Sequence, residues 1–229
     1  GYPGLRLALA TQVGRLQQRP GRIVGTEVSP DDALADIGRK VGAVDAQAIT
    51  DTVEHLDTDS LARVAEAVAA AERVELYGNG ASGLVAVDLE AKLRRIGRTA
   101  AVSVDGHAAM TSAAVLGPHD LAIGISHSGE TLDVIDPIAQ ARAVGAATVA
   151  ITNFPRSTLA TTAESLLTTA ARESLFRAGA MASRSAQLTV IDCIYLAVAR
   201  RDYEATIKAL ELTSAAVSSR RQAGGGRTV

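Results

Sequence analysis

The chain has no tryptophan, a single cysteine and only 3% aromatic residues among its 229 positions. Because large aromatic side chains are scarce, the core must be built from Ala, Val, Leu and Ile, within an apolar content of 47%. The single cysteine, Cys193, excludes an internal disulfide bond. Its apolar surroundings in VIDCIYLAVA favour a buried packing thiol over a nucleophile.

An excess of charge and a long apolar run are also missing. The net charge is −2, so no bulk positive field points to nucleic acid or to an anionic membrane. No signal peptide is recognised, and no apolar run reaches the roughly 18 residues that span a bilayer. We therefore expect a cytoplasmic protein without a membrane partner, folded as one domain or as one domain with a small appendage.

From residue 73 onward, short apolar runs alternate with helix-like stretches. Before them, VSPDD predicts the start of one helix, and DTDSLARVAEAVAAAE predicts a second helix with Thr58 or Asp59 as its N-cap. The alternation predicts an α/β fold, a doubly wound five-stranded parallel sheet flanked by helices. The predicted strands are residues 73–78, 99–104, 120–125, 146–152 and 165–170, and closing helices follow at 181–201 and 203–219.

Two loops at predicted strand ends are rich in glycine and hydroxyl groups. GNGASG follows the first strand and SHSGET follows the third, and each directly precedes a helix. A helix N-terminus offers unpaired N–H groups, glycine lets an anion approach the backbone, and Ser and Thr add small donors. The pattern predicts a cradle for a phosphate group at the carboxyl ends of the strands. Its main residues are Ser126, Ser128, Gly129 and Thr131, with Ser82 contributing from the first loop.

Two other interpretations of these loops stay open. Ser and Thr before a helix often serve only as caps, although two such loops on one parallel sheet favour ligand binding. The first loop also matches the G-x-G-x-x-G dinucleotide fingerprint with Gly78, Gly80 and Gly83, and Asp105 mimics its ribose-binding acid. A dinucleotide site has no need of the second hydroxyl-rich loop, which disfavours that interpretation.

The segments ELYGNGASG and DLAIGISHSGET resemble the sugar isomerase (SIS) domain, a family of phosphosugar-binding modules, over about residues 60–205. The segment RESLFRAGAMASRSAQLTVID resembles one branch of that family, the RpiR/MurR-type transcriptional regulators. The resemblance implies an SIS-type fold, a sugar-phosphate effector that alters the binding of operator DNA, and a homodimer or homotetramer.

The resemblance also implies a domain order. GYPGLRLALA resembles the end of the RpiR-type helix-turn-helix domain, most of which is absent from this chain. Operator DNA is then bound through that N-terminal domain. The implied domains are a helix-turn-helix remnant at 1–20, linker helices at 21–57, the SIS phosphosugar-binding domain at 58–218 and a tail at 219–229.

The family's ligand loops can be carried over to this sequence. Glu173, at the end of the fifth strand, matches an acid of the regulator branch that could meet sugar hydroxyls. The implied ligand-binding residues are Gly78, Gly80, Ser82, Ser126, His127, Ser128, Gly129, Thr131 and Glu173.

An SIS-fold isomerase or etherase is the alternative function. Sugar isomerisation needs a base near the sugar carbons, and the candidates are His107, His127, Glu90 and Glu173. Glu90 lies four residues before Arg94, which favours an ordinary helix pair, and no His–acid pair has motif-like spacing. A purely structural oligomer module is disfavoured because it has no need of phosphate-type loops. We therefore predict a sensor and not an enzyme, and we assign no catalytic residue, metal ligand or cofactor.

Overall fold

The computed structural model describes residues 28–172 and 181–218. Within this part of the chain, two helices precede the sheet, α1 at Leu34–Glu54 and α2 at Thr58–Ala70. The predicted N-cap of α2 is wrong by one or two residues, because the cap is Asp57. Its side chain accepts the backbone N–H groups of Asp59 and Ser60 at 3.0 and 3.2 Å. The predicted helix-turn-helix remnant and the tail lie outside the described residues and stay predictions.

Five parallel strands form a single sheet in the order β2-β1-β3-β4-β5, and this confirms the predicted α/β fold. The three central strands have the predicted bounds to within one residue, whereas β2 and β5 are shorter than predicted. The strands are β1 Arg73–Gly78, β2 Ala100–Ser103, β3 Asp120–Ile125, β4 Ala147–Thr152 and β5 Ser165–Thr168.

Helices connect the strands and cover both faces of the sheet. One short helix, α6, was not predicted; it starts after Ser157, whose hydroxyl accepts the Ala160 N–H at 3.4 Å. The remaining helices are α3 Gly80–Arg95, α4 Gly106–Ala113, α5 Leu132–Ala143, α6 Thr158–Thr162, α7 Met181–Arg201 and α8 Tyr203–Ser218. In the described part of the chain, none of the helices is long and apolar enough to cross a membrane.

The core has two layers because side chains alternate across a strand. Leu76 of β1 points into a cluster with residues of α2, α3 and α7, whereas Tyr77 points into a cluster with residues of α4, α5 and α6. Apart from Tyr77, the buried residues of both clusters are aliphatic, in line with the composition. Burial on both faces explains why the strands are short continuous apolar runs. Because the strands are parallel, their carboxyl ends lie at one edge of the sheet, where the following loops begin.

Candidate ligand site

The first and second ligand loops, residues 78–83 and 126–131, lie side by side. They follow β1 and β3, which pair along their whole length from Arg73 with Asp120 to Gly78 with Ile125. The chain passes from β1 outward to β2 and then returns to β3 on the other side, so β1 and β3 border the point where the strand order reverses. In open parallel sheets the ligand crevice lies beyond the strand ends at such a point.

The glycines of the first loop bring strand β1 and helix α3 into close contact. A Cβ atom on Gly78 would lie 2.8 Å from the Ser82 carbonyl oxygen, and one on Gly83 would lie 2.8 Å from the Gly78 carbonyl oxygen. Gly80 has a φ of +56°, in the left-handed region that glycine tolerates best. Packing and backbone conformation therefore account for the three glycines of the fingerprint. Asp105 caps α4 by accepting the Ala108 N–H at 3.0 Å.

Side chains of the first loop bond to distant parts of the chain. The Ser82 hydroxyl oxygen lies 3.1 Å from Nε2 and 3.2 Å from Oε1 of Gln187 in α7. The Asn79 amide donates to a carboxylate oxygen of Asp133, in the first turn of α5, at 2.8 Å. The second bond connects the first loop to the helix that follows the second loop. Sequence reasoning missed Gln187 and Asn79, and no local signal marks Gln187, because its helix carries several other polar residues.

Hydroxyl groups hold the second loop in shape. Ser126 is buried, and its oxygen accepts the Gly129 N–H at 3.1 Å and lies 3.0 Å from the Thr131 hydroxyl oxygen. Ser128 is exposed, and its hydroxyl accepts the Glu130 N–H at 3.2 Å. Thr131 is the N-cap residue of α5. The structure thus places four of the predicted cradle residues within one tight turn at a helix N-terminus, where an anion is favoured.

Gly129 can only be glycine at this position of the turn. Its φ is +68°, and a Cβ atom there would lie 2.0 Å from the Ser157 hydroxyl oxygen and 2.9 Å from that of Thr152. Its carbonyl oxygen also accepts the Leu159 N–H at 2.9 Å. The second loop therefore packs directly on the start of α6, a contact that the sequence did not indicate.

Glu130 is the carboxylate of the second loop, and it faces α6. Its two oxygens accept the backbone N–H of Thr158 at 2.9 Å and the Thr158 hydroxyl at 2.6 Å. The hydroxyl bond, and then the backbone bond, hold the pKa of Glu130 below its usual value. The carboxylate is therefore ionised at neutral pH and is bonded to Thr158.

His127 packs its ring edge-on against Phe154, with the ring centroids 5.6 Å apart. Its carbonyl oxygen accepts the Asn153 N–H and the Thr152 hydroxyl, each at 3.1 Å. The structure therefore gives His127 a part in shaping the loop, and a direct ligand contact stays a prediction. Glu173, the remaining predicted ligand residue, lies outside the described residues.

Two of the candidate bases have ordinary structural surroundings. Glu90 accepts a hydrogen bond from Arg94 at 2.9 Å, one helical turn away, as predicted. His107 is exposed at the second position of α4. Within residues 28–172 and 181–218, the structure contains no group of three or more His, Cys, Asp or Glu side chains that could hold a metal ion.

Comparison with known proteins assigns the family. The family model of the SIS domain matches residues 67–197, which is more than half of the chain. This chain belongs to the SIS-domain family. Among curated relatives, an uncharacterized HTH-type transcriptional regulator of Caldanaerobacter subterraneus subsp. tengcongensis is 38% identical, over 96% of this chain and 77% of the relative. The HTH-type regulator YbbH of Bacillus subtilis is 34% identical, over 85% of this chain and 69% of the relative.

Two solved structures share the fold. The Vibrio vulnificus NanR protein complexed with ManNAc-6P superimposes with a TM-score of 0.77 at 27% identity, over 95% of this chain and 75% of NanR. The sugar isomerase domain of an RpiR transcription factor from Sphaerobacter thermophilus gives a TM-score of 0.72 at 25% identity, over 78% of this chain and 98% of that domain. The predicted SIS fold and the resemblance to the regulator branch are thus confirmed.

Proposed function

We propose that this chain is the effector-binding part of a transcriptional regulator and that its effector is a phosphorylated sugar. The observation that carries the proposal is the position of the two loops. Loops 78–83 and 126–131 end adjacent parallel strands at the point where the strand order reverses, and each opens a helix. The second loop binds the phosphate through Ser126, Ser128, Gly129 and Thr131, and the first loop faces the sugar through Ser82.

The relatives support the same proposal. The curated relatives with 34–38% identity are HTH-type transcriptional regulators. The NanR structure, which covers 95% of this chain, holds ManNAc-6P, a phosphorylated sugar. A DNA-binding domain on the N-terminal side of α1 would then read the operator, and the protein would act in the cytoplasm, where that DNA lies.

The site favours a sensor over an isomerase or etherase. The carboxylate inside the phosphate loop, Glu130, is ionised and bonded to Thr158, so it is poorly placed to move protons at a sugar carbon. The hydroxyls and backbone amides of the cradle can donate hydrogen bonds to a phosphate group, but they do not supply a base for proton transfer. A regulator needs binding alone, and these loops supply it.

A thermal-shift screen tests the ligand class. The panel contains hexose 6-phosphates, pentose 5-phosphates and N-acetylated amino-sugar 6-phosphates including ManNAc-6P, each with its free sugar as the matched control. A ligand at 100 times its dissociation constant stabilises a fold by about 2.7 kcal/mol. We expect at least one sugar phosphate to raise the melting temperature and its free sugar to leave it unchanged. Equal shifts for both members of a pair would contradict the phosphate cradle.

The oligomeric state is a separate part of the proposal. We propose a homodimer or homotetramer, because the helices around the sheet leave large apolar side chains exposed, among them Leu84 and Val87 of α3. Permanent homodimer interfaces bury about 2,000 Å² or more. Sedimentation equilibrium at micromolar concentration should report a dimer or a larger species, and a monomer would contradict the assembly.

A further inference from the structure

Helix α1 is hydrogen-bonded to the same elements that hold the two ligand loops. On one side, the amide of Gln187 in α7 contacts the Ser82 hydroxyl of the first loop at 3.1 and 3.2 Å. Two residues earlier on α7, the Ser185 hydroxyl donates to the Asp45 carboxylate of α1 at 3.2 Å. One short stretch of α7 therefore touches the ligand site with one side chain and α1 with another.

A second route starts from the phosphate loop. The backbone N–H of Asn153 donates to the His127 carbonyl oxygen at 3.1 Å, and its side-chain oxygen accepts the Ala171 N–H at 2.7 Å. The neighbouring N–H, that of Ala170, donates to the Thr52 hydroxyl of α1 at 3.0 Å. Thr52 is fully buried, so this bond forms away from water. Three hydrogen-bonded steps thus join the second loop to α1.

Small side chains let α1 lie close against α7. Ala48 of α1 packs with Ala182 and Ala186 of α7 in a cluster of its own, apart from the two large clusters on the sheet. Buried alanine contacts bring two helices near each other but bury little area. Polar bonds at the flanks of α1, to Ser185 and to the Ala170 N–H, add to this packing, and both lead toward the ligand loops.

A ligand that binds Ser82 would change the hydrogen bonds available to Gln187. A serine hydroxyl has one proton, so it can donate either to Gln187 Oε1 or to a ligand oxygen. If Ser82 donates to a ligand, it can only accept from Gln187 Nε2, and Oε1 must find another donor. Gln187 is 1% exposed, so water cannot readily supply that donor. A change at this amide acts on α7, the helix whose Ser185 bonds to Asp45 of α1.

We propose that α1 is the element that responds to occupancy of the ligand site, through Gln187 on one side and Asn153 on the other. The inference rests on the proposed function and deepens it, because it says which part of the chain transmits the signal of a bound sugar phosphate. α1 precedes residues 67–197, the range matched by the SIS family model, so it connects that domain to the N-terminal side of the chain. By thermodynamic linkage, anything that shifts α1 relative to α7 changes the affinity for the ligand by the same factor.

Hydrogen–deuterium exchange of the amides of α1 tests this inference. The probes are inorganic phosphate and the sugar phosphate of the panel that gives the largest thermal shift, each at a concentration that calorimetry shows to be saturating for the variant studied. The wild-type chain is compared with the double variant Gln187→Met/Thr52→Val, which removes one polar bond from each route at similar side-chain volume. Ser185→Ala is the milder second variant, in case the double variant does not fold.

Thr50→Val is the matched control, because Thr50 is an exposed residue of the same helix whose hydroxyl bonds to Ala46 of α1 itself. Coupling between two sites typically changes an equilibrium about 5- to 150-fold. We expect the sugar phosphate to change the exchange rates of α1 amides by a factor in that range in the wild type and in Thr50→Val. The change should fall below about 2-fold in the double variant, and Ser185→Ala should reduce it.

Two outcomes would overturn the inference without contradicting the proposed function. If saturating sugar phosphate leaves α1 exchange unchanged in the wild type, α1 does not respond to the site. If the full response persists in the double variant and in Ser185→Ala, Gln187 and Thr52 do not transmit it. If calorimetry and the thermal-shift screen detect no binding of any sugar phosphate, the proposed function itself fails, and this inference fails with it.

Discussion

The hydroxyl oxygens of Ser126 and Thr131 lie 3.0 Å apart, one at each end of the second loop. The Ser126 oxygen also accepts the Gly129 N–H, so the turn between the two residues is closed by its own side chains. A loop that is already ordered loses little conformational freedom when a ligand binds. The turn of residues 126–131 is therefore preorganised.

Replacing Ser128 with Ala should weaken sugar-phosphate binding and leave the fold intact. Loss of a hydrogen bond to a charged group costs about 1.5–3 kcal/mol, which corresponds to a roughly 10- to 150-fold rise in the dissociation constant. Ser128 is exposed, so its removal opens no cavity. Isothermal titration calorimetry measures the effect, with the exposed Ser214 of α8 changed to Ala as the control. Unchanged affinity in Ser128→Ala would remove Ser128 from the cradle.

Replacing Gly129 with Ala should destabilise the protein more than replacing Gly80 with Ala. Both glycines have a positive φ, and the left-handed conformation costs an L-residue roughly 1–2 kcal/mol. At Gly80 the new Cβ atom meets nothing within 4 Å, whereas at Gly129 it would lie 2.0 Å from the Ser157 hydroxyl oxygen. Chemical denaturation compares the two variants, and Gly80→Ala serves as the control for backbone strain alone. Equal losses of stability would mean that the loop moves away from Ser157 without cost.

Replacing Glu75 with Gln should stabilise the protein at neutral pH. Glu75 is buried on the central strand β1, and burial raises the pKa of its carboxyl group against the opposing effect of Arg73. A carboxyl whose pKa is raised on folding binds more protons in the native state than in the unfolded state, so stability falls as pH rises from the unfolded pKa through the higher folded pKa. The variant lacks this loss. Its advantage over the wild type should therefore be small at pH 4 and larger at pH 7.

Urea unfolding of the wild type and of Glu75→Gln at both pH values measures this difference. Glu54→Gln is the matched control, because Glu54 is an exposed residue at the end of α1. An advantage that is the same at pH 4 and pH 7, or that is absent at both, would show that the Glu75 carboxyl titrates as it does in the unfolded chain.

The chain should bind sugar phosphates without converting them. The second loop offers hydroxyls and amides, and its carboxylate, Glu130, is bonded to Thr158. Incubation with the panel of hexose and pentose phosphates, followed by separation of the products, should show no turnover. Conversion at about 1 per second or faster, within the ordinary range of enzymes, would establish an isomerase or a related activity. If such conversion were observed, its loss in the His127→Gln or Glu173→Gln variant would identify the side chain that supports it.

Local patterns in the sequence predicted most elements of the fold. The apolar runs that became β1, β3 and β4, and the helix starting after VSPDD, depend on contacts between residues a few positions apart, which a sequence displays directly. The glycines and hydroxyl side chains of the two loops were also evident from the sequence, because these residue types favour anion binding wherever the loops lie in the fold. The error in the α2 cap was a matter of one or two residues, since Asp57, Thr58 and Asp59 are all able to cap a helix.

The partners of the site could not be predicted from such patterns. Ser82 meets Gln187, which lies 105 residues further along the chain, and Glu130 meets Thr158 at the start of a helix too short to show a period. Gly129 against Ser157 is a contact of the same kind. These pairs depend on which strands become neighbours and how the helices pack over them.

The sequence alone therefore determined the class of fold, the order of its elements and the residue types of the two loops, because periodicity, caps and residue types act over a few positions. Tertiary structure decided that β1 and β3 are adjacent, which brings the two loops to the same edge of the sheet. It also decided that Gln187 meets Ser82 of the first loop and that Asn153 meets the His127 carbonyl oxygen of the second. The physical reason is that strand order and side-chain contacts are set by burying both faces of the sheet at once, a condition on the whole chain that no short segment contains.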